Sequence, residues 1–175
     1  YHHSIKTSSD AAFKIRQGHG TAFNQLVLDA NSRISLGNND SSGGATCTIL
    51  GYLAGDKIAS GGTDNTLIGK QAGNQGTYGI TTGDYNTAVG SSALGASAAA
   101  HITGSSNTAI GYNAMLEAQG AVANNTAVGA NALTAVTTGS SNVVLGASAG
   151  ESATTATDNV FIGVDCGVAN EDSTL

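Results

Sequence analysis

Four histidines, two cysteines and twelve acids are the side chains of this 175-residue chain with acid–base, nucleophilic or metal chemistry to offer. Their spacing sets them apart rather than together. His2 and His3 are adjacent, so on a strand they point to opposite faces and do not chelate one ion; His19 and His101 stand alone. Cys47 and Cys166 lie six repeats apart in the pattern described below. At ~4.8 Å per rung that separation is ~29 Å, far beyond disulfide reach, and both are read as free, buried thiols. Asp64, Asp84 and Asp158 each precede a recurrent Asn by one or two residues. Carboxylates repeated along an edge can share calcium, but Ser106, Ser141 and Asn124 take the same place in other copies, which fits a turn. Glycoside hydrolysis needs two carboxylates ~5–10 Å apart in a cleft, and no pairing of that kind is evident. Nor is there a Gly-rich phosphate loop opening a helix, or a Ser/His/Asp set in context. The reading is a chain that is not an enzyme, with no catalytic, cofactor-binding or metal-ligating residues and no cofactor.

What repeats is structural. A nine-residue phrase occurs seven times, as CTILGYLAG from Cys47, NTLIGKQAG from Asn65, NTAVGSSAL from Asn86, NTAIGYNAM from Asn107, NTAVGANAL from Asn125, NVVLGASAG from Asn142 and NVFIGVDCG from Asn159. Successive starts are 18, 21, 21, 18, 17 and 17 residues apart. Ile34-Ser35-Leu36-Gly37 reads as a degenerate earlier copy. One column is always glycine: Gly51, Gly69, Gly90, Gly111, Gly129, Gly146 and Gly163. A Gly after an extended run marks a bend with positive φ or a close backbone approach. The Asn column (Asn65, Asn86, Asn107, Asn125, Asn142, Asn159) precedes the strand, where amides cap turns and stack into ladders. The Ala column (Ala54, Ala72, Ala93, Ala114, Ala132, Ala149) marks tight space after the bend. Between phrases come β-prone pieces such as Ile80-Thr81-Thr82-Gly83, Ile102-Thr103-Gly104 and Val136-Thr137-Thr138-Gly139. Two strands and two turns per ~20 residues make one coil of a solenoid.

Alternation within the strand adds an expectation about partners. The third strand position is Leu50, Ile68, Val89, Ile110, Val128, Leu145 and Ile162, and the middle one is Ile49, Leu67, Ala88, Ala109, Ala127, Val144 and Phe161. Both faces are apolar, so both are expected to be covered, one by the coil interior and the other by copies of the same chain. The Thr column (Thr48, Thr66, Thr87, Thr108, Thr126, then Val143 and Val160) shares its face with the third position. It is read as inward, which argues against an ice-binding Thr array.

Composition agrees and excludes. With 25 Gly, no Pro, no Trp and 10% charged residues, the chain suits thin, closely approaching layers of hydrogen-bonded strands. All six basic residues (Lys6, Lys14, Arg16, Arg33, Lys57, Lys70) precede position 71. The rest offers no cation to phosphates, which argues against nucleic-acid binding and against docking on an anionic membrane. No apolar run is long enough for a membrane-inserted helix. A start at Tyr1 without Met reads as a fragment or processed product.

NTAIGYNAM, NTAVGANAL and their I-T-T-G-x-x-N connectors resemble repeats of bacteriophage tail fibres, and are similar to head repeats of trimeric autotransporter adhesins, over roughly Ala45 to Gly167. The adhesin heads are left-handed parallel β-rolls assembled as trimers. The longer, uneven spacing and the Thr after Asn favour the fibre side. The resemblance implies an all-β parallel β-solenoid or β-roll with coils of about 17–21 residues, packed as a homotrimer. It implies a structural and adhesive segment of a virion surface appendage, extracellular, contacting other fibre or virion proteins and a host-surface glycan or protein. The head of a bacterial trimeric adhesin is the alternative, and a monomeric ligand- or ice-binding solenoid a third reading. It also suggests that Asn170–Leu175 is the remnant upstream of a self-cleaving chaperone. Tyr52, Tyr78, Tyr85 and Tyr112 are candidate receptor contacts, with packing between chains as the competing role.

Three regions follow: residues 1–45 as a β-rich lead-in or cap, 46–168 as the repeat solenoid and 169–175 as a tail. In the first, Phe13-Lys14-Ile15-Arg16 and Gln25-Leu26-Val27-Leu28 are expected strands.

Overall fold

A computed structural model describes residues 13–16, 24–28, 34–35, 46–58, 61–96 and 100–167. His2, His3, His19 and the proposed processing remnant Asn170–Leu175 lie outside these residues.

Three strands come first: β1 (Phe13–Arg16), β2 (Asn24–Leu28) and β3 (Ile34–Ser35) form an antiparallel sheet in that order. Leu28 faces Ile34, and Val27 faces Ser35. Ile34-Ser35 is therefore not an early solenoid copy; it closes this antiparallel sheet instead. Without an Asn before it and a matching coil behind it, the Ile-Ser-Leu-Gly wording does not suffice to place a strand on the stack.

The repeat then builds one parallel sheet. Its strands are β4 (Thr48–Leu50), β5 (Thr66–Ile68), β8 (Thr87–Val89), β9 (Thr108–Ile110), β10 (Thr126–Val128), β11 (Val143–Leu145) and β12 (Val160–Ile162), stacked in chain order. Each phrase lies over the next without a register shift, Thr66 on Thr87 and Thr87 on Thr108, for instance. The unequal coil lengths are absorbed on the returning side. One of the two 21-residue coils holds a small hairpin in its return, β6 (Asn74–Gln75) with β7 (Tyr78–Gly79), between β5 and β8. The expected second strand of each coil is reduced to isolated parallel bridges, Ile80 to Ile102, Ile102 to Gly120 and Ala123 to Ser140. Loops of differing length cannot hold a continuous second ladder, so the coil has one regular strand rather than two.

The core is a narrow rod. The middle strand residues Leu67, Ala88, Ala109, Ala127, Val144 and Phe161 are buried, together with the Ala column and Ile80, Ile102, Val122 and Val136 from the returning side. The first and third strand positions face outward. This corrects the inward placement of the Thr column: Thr66, Thr87, Thr108 and Thr126 are half-exposed, and Ile110 and Leu145 beside them are exposed. Period-2 alternation separates the two faces but does not say which one the chain coils around; here it coils around the middle residue.

Candidate functional site

Two features carry the functional argument, an internal amide ladder that holds the coils in register and the outer sheet face that the ladder presents. In the ladder, each Asn Oδ1 accepts the backbone N–H of the Asn one coil on. The distances are 2.9 Å (Asn65 to Asn86), 3.0 Å (Asn86 to Asn107), 3.1 Å (Asn107 to Asn125), 3.0 Å (Asn125 to Asn142) and 3.1 Å (Asn142 to Asn159). From Asn65 to Asn142 each Nδ2 reaches forward to the returning loop of the next coil, as from Asn107 to the Val122 carbonyl (2.8 Å) and from Asn125 to that of Gly139 (3.0 Å). All six side chains are buried. The residue before each of them, Asp64, Tyr85, Ser106, Asn124, Ser141 and Asp158, has φ between 55 and 62°. That left-handed corner explains why Asp, Asn and Ser dominate there. Asp84 lies one place earlier; its carboxylate accepts from the Thr63 N–H (2.7 Å) and hydroxyl (3.0 Å) and so ties neighbouring coils. No three of His, Cys, Asp and Glu gather into a metal-holding group among the described residues.

Cys47 stands at the upstream end of the same ladder. Its Sγ accepts from the Asn65 N–H (3.4 Å) and Nδ2 (3.7 Å), and its thiol donates to the Gly62 carbonyl (3.6 Å). Both cysteines are free, Cys47 buried and Cys166 half-buried at the far end.

The glycine column combines both reasons for a missing side chain. Gly129 has φ +141°, and a Cβ there would overlap the carbonyl of Gly146 in the next coil. Two residues on, Leu53, Gln71, Ser92, Asn113, Asn131, Ser148 and Asp165 adopt φ of 51–57°. The phrase ends in a second left-handed position, filled by Gly55, Gly73, Leu94, Met115, Leu133, Gly150 and Gly167. Its occupant follows the middle strand residue of the same coil. Where that residue is Ala88, Ala109 or Ala127, the end position is Leu94, Met115 or Leu133, each fully buried. Where it is Ile49, Leu67, Val144 or Phe161, the end position is Gly; a Cβ on Gly73 would come within 2.9 Å of Leu67 Cδ1. The phrase thus supplies one large side chain to each layer, from either of two positions, and it packs beside the residues of the returning side such as Ile80. The signal lay within the phrase, as a correlation between its third and ninth letters.

The outer face is what the ladder displays. Seven residues stand in line across it: Leu50, Ile68, Val89, Ile110, Val128, Leu145 and Ile162, with the Thr/Val column alongside. Leu50 is 55% exposed and Ile162 63%. Neither column contains a charged residue, and at ~4.8 Å per strand the stripe runs for ~29 Å. No family model, curated protein or solved structure matches the chain. The outer face and its rims are therefore the guide to function.

The four candidate tyrosines do not form one site. Tyr52 and Tyr112 (71% and 59% exposed) share the column just after the glycine, with Lys70 and Ser91 between them. Tyr85 (64% exposed) stands at the opposite rim, before the Asn column. Tyr78 is half-buried in the β6–β7 hairpin, its ring centroid 5.2 Å from that of His101.

Proposed function

We propose that this chain is a structural, non-catalytic segment of a trimeric fibre, of the kind carried by phage tails, with its outer sheet face packed against copies of itself. The observation that carries the reading is the unbroken apolar column on that face. Soluble chains rarely leave a contiguous apolar stripe of this size bare. A copy of the same chain is the occupant that fits, because it brings ridges at the same strand pitch, and no charge on the stripe calls for a charged partner. The number three and the fibre context come from the resemblance of NTAIGYNAM and NTAVGANAL to fibre repeats, with a bacterial adhesin head as the alternative host of the same architecture. On this reading Tyr52, Tyr85 and Tyr112, at the rims, are the residues open to a host-surface glycan or protein, and the appendage is extracellular.

Light scattering on the native chain tests this. The expected mass is three times 17.1 kDa, and Val128→Lys, which plants a charge in the middle of the stripe, is expected to reduce it to one chain while the β-rich circular dichroism persists. The outward Thr column favours one competing reading, a monomeric solenoid laying a flat Thr/aliphatic face on an ordered surface such as ice. A monomeric wild-type mass would select it and end the trimer reading.

A further inference from the structure

Two of the exposed tyrosines stand in a column that also holds an unpaired lysine. The residues just after the glycine column are Tyr52, Lys70, Ser91 and Tyr112, then Ala130, Ala147 and Val164. Backbone bonds fix the first four one above another. The N–H groups of Gln71, Ser92 and Asn113 donate to the carbonyls of Tyr52 (2.8 Å), Lys70 (2.9 Å) and Ser91 (3.1 Å). Tyr52, Lys70 and Tyr112 are exposed, and Ser91 is half-buried. At ~4.8 Å per rung the two tyrosine positions are ~14 Å apart, with the lysine between them. Lys70, Ser91 and Tyr112 lie on inner coils, each with a described coil on either side.

Charge singles the spot out. Lys57 and Lys70 are the lysines of the solenoid, and Asp56 holds Lys57 at 2.6 Å. Lys70 has no counter-ion among the described residues. The neighbouring column sets Gln71, Ser92 and Asn113 beside it, half-exposed, with two amides and a hydroxyl. Neither column holds a carboxylate before Asp165. From Ala130 onward the column is neither aromatic nor charged, so the patch is confined to the upstream phrases.

We infer that this column binds an acidic oligosaccharide, with Lys70 on a carboxylate and Tyr112 and Tyr52 stacked on sugar faces. An exposed tyrosine offers a flat amphipathic surface at low entropic cost, which suits the C–H face of a sugar ring. Ser91 is small, and leaves a gap between Lys70 and Tyr112 where a ring can lie against the sheet. Gln71, Ser92 and Asn113 supply donors and acceptors to the hydroxyls. A single unpaired ammonium suits one carboxylate, not the phosphate run of a nucleic acid. Such binding presupposes that the rims are contact surface, as proposed above, but not any number of copies.

Isothermal titration calorimetry on the native protein tests this with two probes of equal length. One is an oligosaccharide of alternating glucuronate and N-acetylglucosamine, the other a neutral oligomer of N-acetylglucosamine. The acidic probe is expected to bind, and the neutral one to bind roughly tenfold more weakly. Lys70→Gln is expected to bring the two to one affinity by weakening the acidic probe alone. Tyr112→Ala is expected to weaken both, and Tyr85→Ala, on the opposite rim, neither. All three side chains are exposed, so the far-ultraviolet circular dichroism of each variant is expected to match the wild type. Equal binding of the two probes by the wild type overturns the acidic ligand. Binding unchanged in both Lys70→Gln and Tyr112→Ala overturns the column as the site, and no binding of either probe overturns the site altogether. The mass measured without sugar tests the trimeric-fibre reading by itself, so the two fail separately.

Discussion

At the residue scale, the Asn column does the work of a register key. Asn107 accepts from Asn125 N–H (3.1 Å) and donates to the Val122 carbonyl (2.8 Å) and to Asn86 Oδ1 (3.0 Å), all within the rod. Replacing it with Ala strands those partners in a dry interior, at about 1–3 kcal/mol for each group left unpaired. Asn107→Ala is therefore expected to lower the free energy of urea unfolding by several kcal/mol, while Ser106→Ala, at an exposed corner, costs far less. The glycine column allows an internal comparison. Gly129→Ala must both hold φ near +141° and push aside the Gly146 carbonyl, so loss of the folded far-ultraviolet signal is expected. Gly163→Ala meets only the backbone strain at φ +125° and is expected to fold with a reduced melting temperature. Asn before the strand and Gly after it were legible as columns because their spacing repeats. Cys47 was legible as occupying the Asn column, but its use as an acceptor at the head of the ladder depends on the Asn65 amide lying above it.

At the element scale, each coil is one short strand with a tight double left-handed turn, and the repeated phrase places one large group in its interior. Ala109→Leu adds volume to a layer that Met115 already fills, and overpacking of this kind costs about 1–3 kcal/mol. Met115→Gly alone empties the layer, at a cost of about 2–5 kcal/mol for lost packing, partly offset because Gly suits φ +54° better than Met does. The double variant Ala109→Leu/Met115→Gly reproduces the pairing native to Leu67 and Gly73. A double-mutant cycle by urea denaturation is expected to show strong favourable coupling, with the double variant more stable than either single one. Additive losses would mean that the two positions do not share a layer. The strand itself was readable from three apolar or Thr positions followed by Gly. A second strand per coil was also expected from Ile80-Thr81-Thr82 and its equivalents, but those segments sit in loops of different length and meet only at single bridges.

At the scale of the whole molecule, the stack makes a rod with one uncharged apolar stripe, flanked by rims that carry Tyr52, Tyr85, Tyr112, Asp64, Asp158 and Lys70. An assembly held through the stripe is driven by apolar burial, not by ion pairs. Its mass by light scattering is therefore expected to stay constant as salt is raised from about 0.05 to 1 M, a range over which the Debye length falls below about 5 Å and exposed ion pairs are screened. Dissociation on adding salt would point instead to contacts through the charged rims.

The chain's sequence by itself determined that it coils and which residues of the seven phrases fall in line, because a phrase repeated in step places like residues over like. It also determined that the strand has two apolar faces. The tertiary structure alone decided which of them is inside. A three-residue strand alternates identically whichever way the chain bends, and the bend is set by the glycine and the two left-handed residues after it. That bend turned the middle residue inward and the Thr and aliphatic columns outward. It thereby turned an expectation of two covered faces into one filled core and one bare stripe.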